Sequence, residues 1–252
     1  MHKEIEPFLA ALSFYTRIPV ACQFENLAEV QKRSIVYLPL IGWIVGGIEA
    51  LVFLLGMLLF PHSVALFLSL VSAVMLTGAL HEDGFADTCD GFGGGWTAEE
   101  VLRIMKDSRI GVYGVSGLIL LFGLKFVTLL ETDSSLIPVL FIAAHSLSRA
   151  TAASLLFTHN YVGASSQSKA SALVKRLSLR ELGLICLFGA LPLLLFLNPF
   201  YFLLIIPLFL IQKILGLYTK RRIGGYTGDT LGAAQQITET VVYLAFLAAS
   251  GL

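Results

Sequence analysis

From Leu182 to Gln212 the chain runs for 31 residues without an Asp, Glu, Lys or Arg. A bilayer asks for about 20 apolar residues per crossing, so this run is too long for one ordinary span. Asn198-Pro199 in its middle supplies the turn that divides it, because proline removes a helix donor and disfavours helical geometry in the residue before it. Charge-poor stretches of this kind cover 34–59, 63–80, 110–130, 135–155, 181–197, 200–219 and 235–251. They predict about seven transmembrane helices, with Phe60-Pro61-His62 as the turn between the first two.

Composition supports the same reading: 56% of residues are hydrophobic and 13% charged, against about 25% charged in a soluble domain. The expected fold is all-α, a polytopic integral membrane protein forming a single domain over 1–252, with no internal repeat. A net charge of zero leaves no electrostatic footprint for nucleic acid, so none is expected as a partner. Cys22, Cys89 and Cys186 are scattered without metal or disulfide spacing and read as reduced thiols. Glu4, Glu6 and Arg17, with no small-residue cleavage site after an apolar core, argue against a cleaved signal peptide.

Orientation follows from the basic residues. Connections 1–33, 81–109, 156–180 and 220–234 hold Lys3, Arg17, Lys32, Arg33, Arg103, Lys106, Arg109, Lys169, Lys175, Arg176, Arg180, Lys220, Arg221 and Arg222, whereas turns 60–62, 131–134 and 198–199 hold none. The positive-inside rule then puts the N-terminus and all four connections in the cytoplasm and the C-terminus outside.

Against this background His81-Glu82-Asp83-Gly84-Phe85-Ala86-Asp87-Thr88-Cys89-Asp90-Gly91 stands out, because charge at the end of an apolar segment is costly and usually functional. On a continuous helix Asp83, Asp87 and Asp90 fall within an arc of roughly 60°, with Glu82 off that face. Their mutual repulsion, and the position of Asp90 at a helix end expected at Gly91, would be relieved by a cation. Carboxylates without a Cys/His cluster suit Mg²⁺. The stripe is long enough that two ions about 4 Å apart, with Asp87 between them, are expected.

Other polar signatures gather on the same side. Thr97-Ala98-Glu99-Glu100 reads as a capping box opening an amphipathic helix. Lys106 and Arg109 at its end suit phosphate oxygens or simple interface anchoring. Arg222 precedes Gly224-Gly225-Tyr226-Thr227-Gly228-Asp229, where glycines ahead of a helix leave N–H groups free for an anion, and Asp229 reads equally as N-cap or ligand. Gln236 and Glu239 follow on nearby faces and suggest an interior cavity. Arg17 is a phosphate ligand or an anchor, and Arg149, inside a span, calls for an anionic partner. Glu49 and Lys125 are intramembrane, near an end or paired. His81 adjoins the acids, whereas His2, His62, His145 and His159 have no such neighbours in sequence and read as structural.

The order of these motifs resembles the cobalamin synthase family, also called the adenosylcobinamide-GDP ribazoletransferases. The resemblance is carried by Phe14-Tyr15-Thr16-Arg17-Ile18-Pro19, Pro39-Leu40-Ile41-Gly42, His81 to Gly91, Ile104 to Gly111, Ser148-Arg149 and Gly224 to Ala233 with Glu239. The chain departs from the family pattern at Glu82, where an apolar residue is frequent, and at Ala21, where a second proline is common. The resemblance implies a Mg²⁺-dependent phosphotransferase of cobalamin nucleotide-loop assembly, multi-pass in the bacterial inner membrane with a cytoplasmic-side active site. Adenosylcobinamide-GDP would be attacked by a ribose hydroxyl of α-ribazole or its 5′-phosphate, releasing GMP, with membrane lipid and other enzymes of nucleotide-loop assembly as partners. In that frame Asp83, Asp87 and Asp90 hold metal, Asp90 or His81 takes the proton, and Arg17, Lys106, Arg109, Arg149, Arg222, Thr227, Asp229 and Glu239 bind substrate. Competing readings are a CDP-alcohol-type phosphotransferase, whose full Asp-Gly-Ala-Arg pattern is missing, and an ion-coupled transporter, which would place charge at the midplane and show a repeat.

Overall fold

The computed structural model describes residues 2–21, 27–163 and 177–250; Cys22, Lys169, Lys175 and Arg176 lie outside the described residues. The described chain is helical: α1 (His2–Tyr15), α2 (Leu27–Ser34), α3 (Leu38–Met57), α4 (His62–Thr77), α5 (Leu80–Gly94), α6 (Ala98–Ile104), α7 (Val112–Leu130), α8 (Ile137–Thr158), α9 (Leu179–Ala190), α10 (Ile205–Ile223) and α11 (Gly228–Ser250). Tight 3₁₀ turns at Leu191–Phe196 and Pro199–Leu204 flank the expected break, where Asn198 Oδ1 accepts the Phe200 N–H at 3.0 Å.

Helix α8 is the axis of the bundle. Helix α3 lies along it at short range because Gly42 and Gly46 face its backbone. A methyl added there would sit 2.5 Å from the His145 carbonyl oxygen and 2.6 Å from that of Phe141, so the pair depends on small residues one turn apart. Helix α11 packs on α8 as well, and Phe53, Phe141 and Tyr243 meet edge to face in the common core. The outer faces are apolar and uncovered, with Ile119, Leu120, Phe209 and Leu217 all exposed, as a lipid-facing surface requires.

Among the described residues, and by length and apolarity alone, five helical segments qualify to cross a membrane against about seven expected: Glu29–Met57, Val112–Leu130, Ile137–Thr158, Leu179–Phe196 and Pro199–Ile223, or six if the bent pair α4 and α5 is one span. Helix α4 has 16 residues, about 24 Å of rise against a core of about 30 Å. Helix α11 has the length, with 23 residues, but its polar groups point into the bundle and lower its apolarity.

Between α4 and α5 the chain turns by 89°. Gly78 and Ala79 both adopt left-handed geometry, φ 64° and 58°, and their N–H groups close the last carbonyls of α4. Glycine takes this conformation freely, while at Ala79 it costs roughly 1–2 kcal/mol. The bend puts the acids on a helix of their own that lies against α11 and α7 instead of continuing α4. It also moves the helix end: α5 continues past Gly91 to Gly94.

Candidate active site

Helix α5 meets the start of α11 where Gly84 faces the Asp229 backbone, closely enough that a Cβ would lie 2.9 Å from the Asp229 carbonyl oxygen. That contact brings Asp83 and Asp229 together at the wall of one cavity of ≈ 210 Å³. The cavity opens where α3 and α11 begin and α1 and α8 end. Phe14, Tyr15, Leu38, Ala153 and Leu156 form its apolar walls, and His81, Asp83, Asp229 and Gln235 its polar side. The His81 ring stacks on Tyr15, centroids 6.2 Å apart and planes within 16°.

The acidic stripe is helical, as expected, but its members differ. Asp83 is exposed, Asp87 half-buried and Asp90 buried. The charges acting on Asp87 are those of Asp83, Asp229 and Asp90, all negative, and among the described residues no Lys or Arg pairs with Asp83, Asp87 or Asp229. Asp90, by contrast, is compensated. Its Oδ2 accepts the Gly111 N–H at 2.7 Å and its Oδ1 the Gly114 N–H at 2.8 Å, so it caps the positive end of α7. The expectation that Asp90 suffers from an opposing helix dipole is corrected by this partner helix.

Asp229 is released from the capping role that was one of its two readings. Thr227 Oγ1 accepts the Thr230 N–H at 3.2 Å and Thr230 Oγ1 accepts the Thr227 N–H at 2.8 Å, so a threonine pair closes the start of α11. Upstream, the Thr97–Glu100 capping box forms as expected. Arg17 is exposed and seated on Gly78. Lys106 is exposed, and Arg109 is exposed in a fork with Asp107 at 2.6 Å, both on the segment leading to Gly111. Arg222 donates to the carbonyls of Phe92 and Gly95 at 3.0 and 2.8 Å and lies over the Phe92 and Tyr218 rings, capping the end of α5.

Arg149 and Glu239 do not reach the cavity wall. Both are buried, 1% and 3% exposed, in a second polar centre deeper in the bundle. Lys125 Nζ donates to Glu239 Oε1 and Gln236 Oε1, each at 2.6 Å. His145 joins Glu49 at 2.5 Å and Glu239 at 3.1 Å, and Arg149 Nη1 donates to its Nδ1 at 2.9 Å. Gln236 Nε2 donates to Glu82 Oε1 at 2.7 Å, which confirms that Glu82 faces away from the stripe. His145, read as structural because no acid adjoins it in sequence, is held by Glu49 of α3 and Glu239 of α11. Only its spacing of four residues from Arg149 was a signal in the sequence. Gln235, which lines the cavity, was also not singled out; its spacing of four from Glu239 is the equivalent signal.

The chain matches the family described as cobalamin-5-phosphate synthase over residues 7–247. It is 43% identical to a Shewanella frigidimarina protein named adenosylcobinamide-GDP ribazoletransferase, over 98% of this chain and 95% of the relative. A Shewanella amazonensis protein of the same name is 45% identical over 97% and 96%, and one from Shewanella oneidensis 41% identical over 100% and 97%. No solved structure matches the chain.

Proposed function

The chain belongs to the cobalamin-5-phosphate synthase family, and we propose on that footing that the cavity between α5 and α11 is where it works as an adenosylcobinamide-GDP ribazoletransferase. The carrying observation is the trio Asp83, Asp87 and Asp229, three carboxylates from two helices beside an open cavity, with no basic partner among the described residues. A ribose hydroxyl of α-ribazole, or of its 5′-phosphate, attacks the corrinoid-side phosphorus of the pyrophosphate. The new P–O bond forms as the bond to GMP breaks, and the hydroxyl proton must leave. His81, on the cavity wall, is placed to take it. Asp90, whose two oxygens both hold α7 N–H groups, serves to fix that helix and the Lys106–Arg109 segment beside the stripe.

The donor set fits Mg²⁺. Among the described residues no three acidic, His or Cys side chains form a closed metal site. Mg²⁺ asks for less, one or two carboxylates with substrate phosphate oxygens and water completing its shell. Asp83 and Asp87, with Asp229 opposite, would hold it, and bound there it would neutralise the pyrophosphate and the departing GMP. Lys106 and Arg109 face the same end of the bundle and supply donors for phosphate. Arg17 has a free guanidinium in the described structure and is assigned the same task, whereas Arg222 supports it through α5 and Thr227 through α11. Arg149 and Glu239 support it through the buried centre.

The described ends of the four basic connections lie at this end of the bundle, which we assign to the cytoplasmic face of the inner membrane. A thiol reagent that does not cross membranes should then label a cysteine placed at Ser134 and spare one at Trp96, in a background without native cysteines. For the activity, purified protein given adenosylcobinamide-GDP, α-ribazole and Mg²⁺ should release GMP and form the joined corrinoid. Release of GMP that does not need α-ribazole, or no release at all, would overturn the assignment.

A further inference from the structure

We infer that the apolar cavity at the C-terminal end of α8 is the seat of the acceptor's aromatic base, so that Phe14, Leu38, Ala153 and Leu156 select the nucleoside that receives the phosphoryl group. This rests on the transferase reading above and adds which part of which substrate the cavity takes.

Size and polarity decide among the groups the reaction brings. An apolar protein cavity of about 150 Å³ holds a benzene ring; at ≈ 210 Å³ this one suits a fused two-ring aromatic and is far too small for a corrin macrocycle. Guanine is also two-ringed, but carries polar atoms around most of its edge, and walls of Phe14, Leu38, Ala153 and Leu156 would leave them unpaired. The dimethylbenzimidazole of ribazole has two methyl groups, no N–H and one ring nitrogen left to accept a hydrogen bond. Aliphatic and aromatic walls match that surface.

The polar side of the cavity fixes the direction of the occupant. Gln235 lines the cavity and is 1% exposed. Its Nε2 donates to Glu239 Oε2 at 2.7 Å and Ser148 Oγ at 3.0 Å, so the amide cannot flip without facing one acceptor with another. Its Oε1 is left buried without a partner. The base carries no hydroxyl, but the ribose attached to it does. With the base among the apolar walls, the sugar lies on the side of Gln235, Asp83 and Asp229, where its hydroxyl meets the acids.

Steady-state kinetics on the purified enzyme test this through the two KM values. Phe14 is 58% exposed, so Phe14→Ala leaves the fold intact; it should raise KM for α-ribazole at least about tenfold, as loss of an apolar pocket contact does, and leave KM for adenosylcobinamide-GDP unchanged. Ala153→Met, which fills the cavity, should do the same, and its melting temperature is read alongside so that a folding defect is recognised. Free 5,6-dimethylbenzimidazole should compete with α-ribazole only, and should raise the melting temperature of wild type but not of the filled variant. If wild type releases GMP while Phe14→Ala alters neither KM, or alters that of adenosylcobinamide-GDP, or if the free base competes with the corrinoid, the base sits elsewhere and this inference falls. If wild type releases no GMP, it is the transferase reading that fails.

Discussion

Two clusters of charge sit within one apolar bundle, and they are built on opposite plans. In the deeper one Lys125, Arg149 and His145 interleave with Glu49, Glu82 and Glu239, distances of 2.5–3.1 Å join most of them, and the void they enclose is only ≈ 10 Å³. In the outer one Asp83, Asp87 and Asp229 carry like charge and lack a basic partner among the described residues, and Asp83 and Asp229 border a cavity of ≈ 210 Å³. A balanced and filled cluster holds helices α3, α7, α8 and α11 in register, since any slip would leave a charge unpaired in low dielectric. An unbalanced and open one can be completed only by something that arrives from outside.

The largest effect expected from this contrast is on stability, in the deep cluster. Lys125→Met takes the cation from Glu239 Oε1 and should cost roughly 3–5 kcal/mol, the range for removing one member of a buried pair. Thermal unfolding in detergent would show it, and adding Glu239→Gln should recover part of the loss; an unchanged melt would break the distinction. Asp87→Asn belongs to the other plan. Turnover should fall at least about 100-fold, or close to 3 kcal/mol of barrier, while the melting temperature holds or rises because like-charge repulsion is relieved. GMP release near the wild-type rate would move the reactive centre away from the stripe.

Asp90 sharpens the comparison because it shares a helix face with the outer acids yet is paired like the inner ones. Asp90→Ala orphans the Gly111 and Gly114 N–H groups and should cost about 1–3 kcal/mol of stability along with activity. Asp87→Ala should lower activity without the stability loss, so parallel melts separate pairing from catalysis. The smallest effect is expected at the rim. Hydrogen bonds from the Arg109 side chain hold the Asp107 carboxyl down at about 2, so the pair keeps its charge at any working pH and is lost only as pH falls through that value. Being exposed, it adds little to folding. Arg109→Gln should therefore leave the melt alone and lower kcat/KM for adenosylcobinamide-GDP; unchanged kinetics would make it an anchor only.

Much of the scaffold was legible in the order of residues. Asn198-Pro199 and Phe60-Pro61 do divide spans, Thr97 and Glu100 do close a capping box, and the i, i+4, i+7 acids do share a helix. Each is a local effect, decided by neighbours within a turn or two. The 89° bend was not legible, because Gly78-Ala79 carries no proline and reads as the continuation of an apolar run. The partners of Asp90, Glu49 and Lys125 were not legible either, since they lie 21 to 114 residues away.

By itself, then, the sequence determined that this chain lives in a bilayer as helices and that one end of it carries costly acid, because hydrophobicity and helical period are properties of short segments. Which acids are neutralised and which are left for a ligand was decided only in the tertiary structure. Coulomb energy in a low-dielectric interior depends on separations of a few ångströms, and those separations are set by how α5, α7, α8 and α11 pack, not by where their residues stand along the chain.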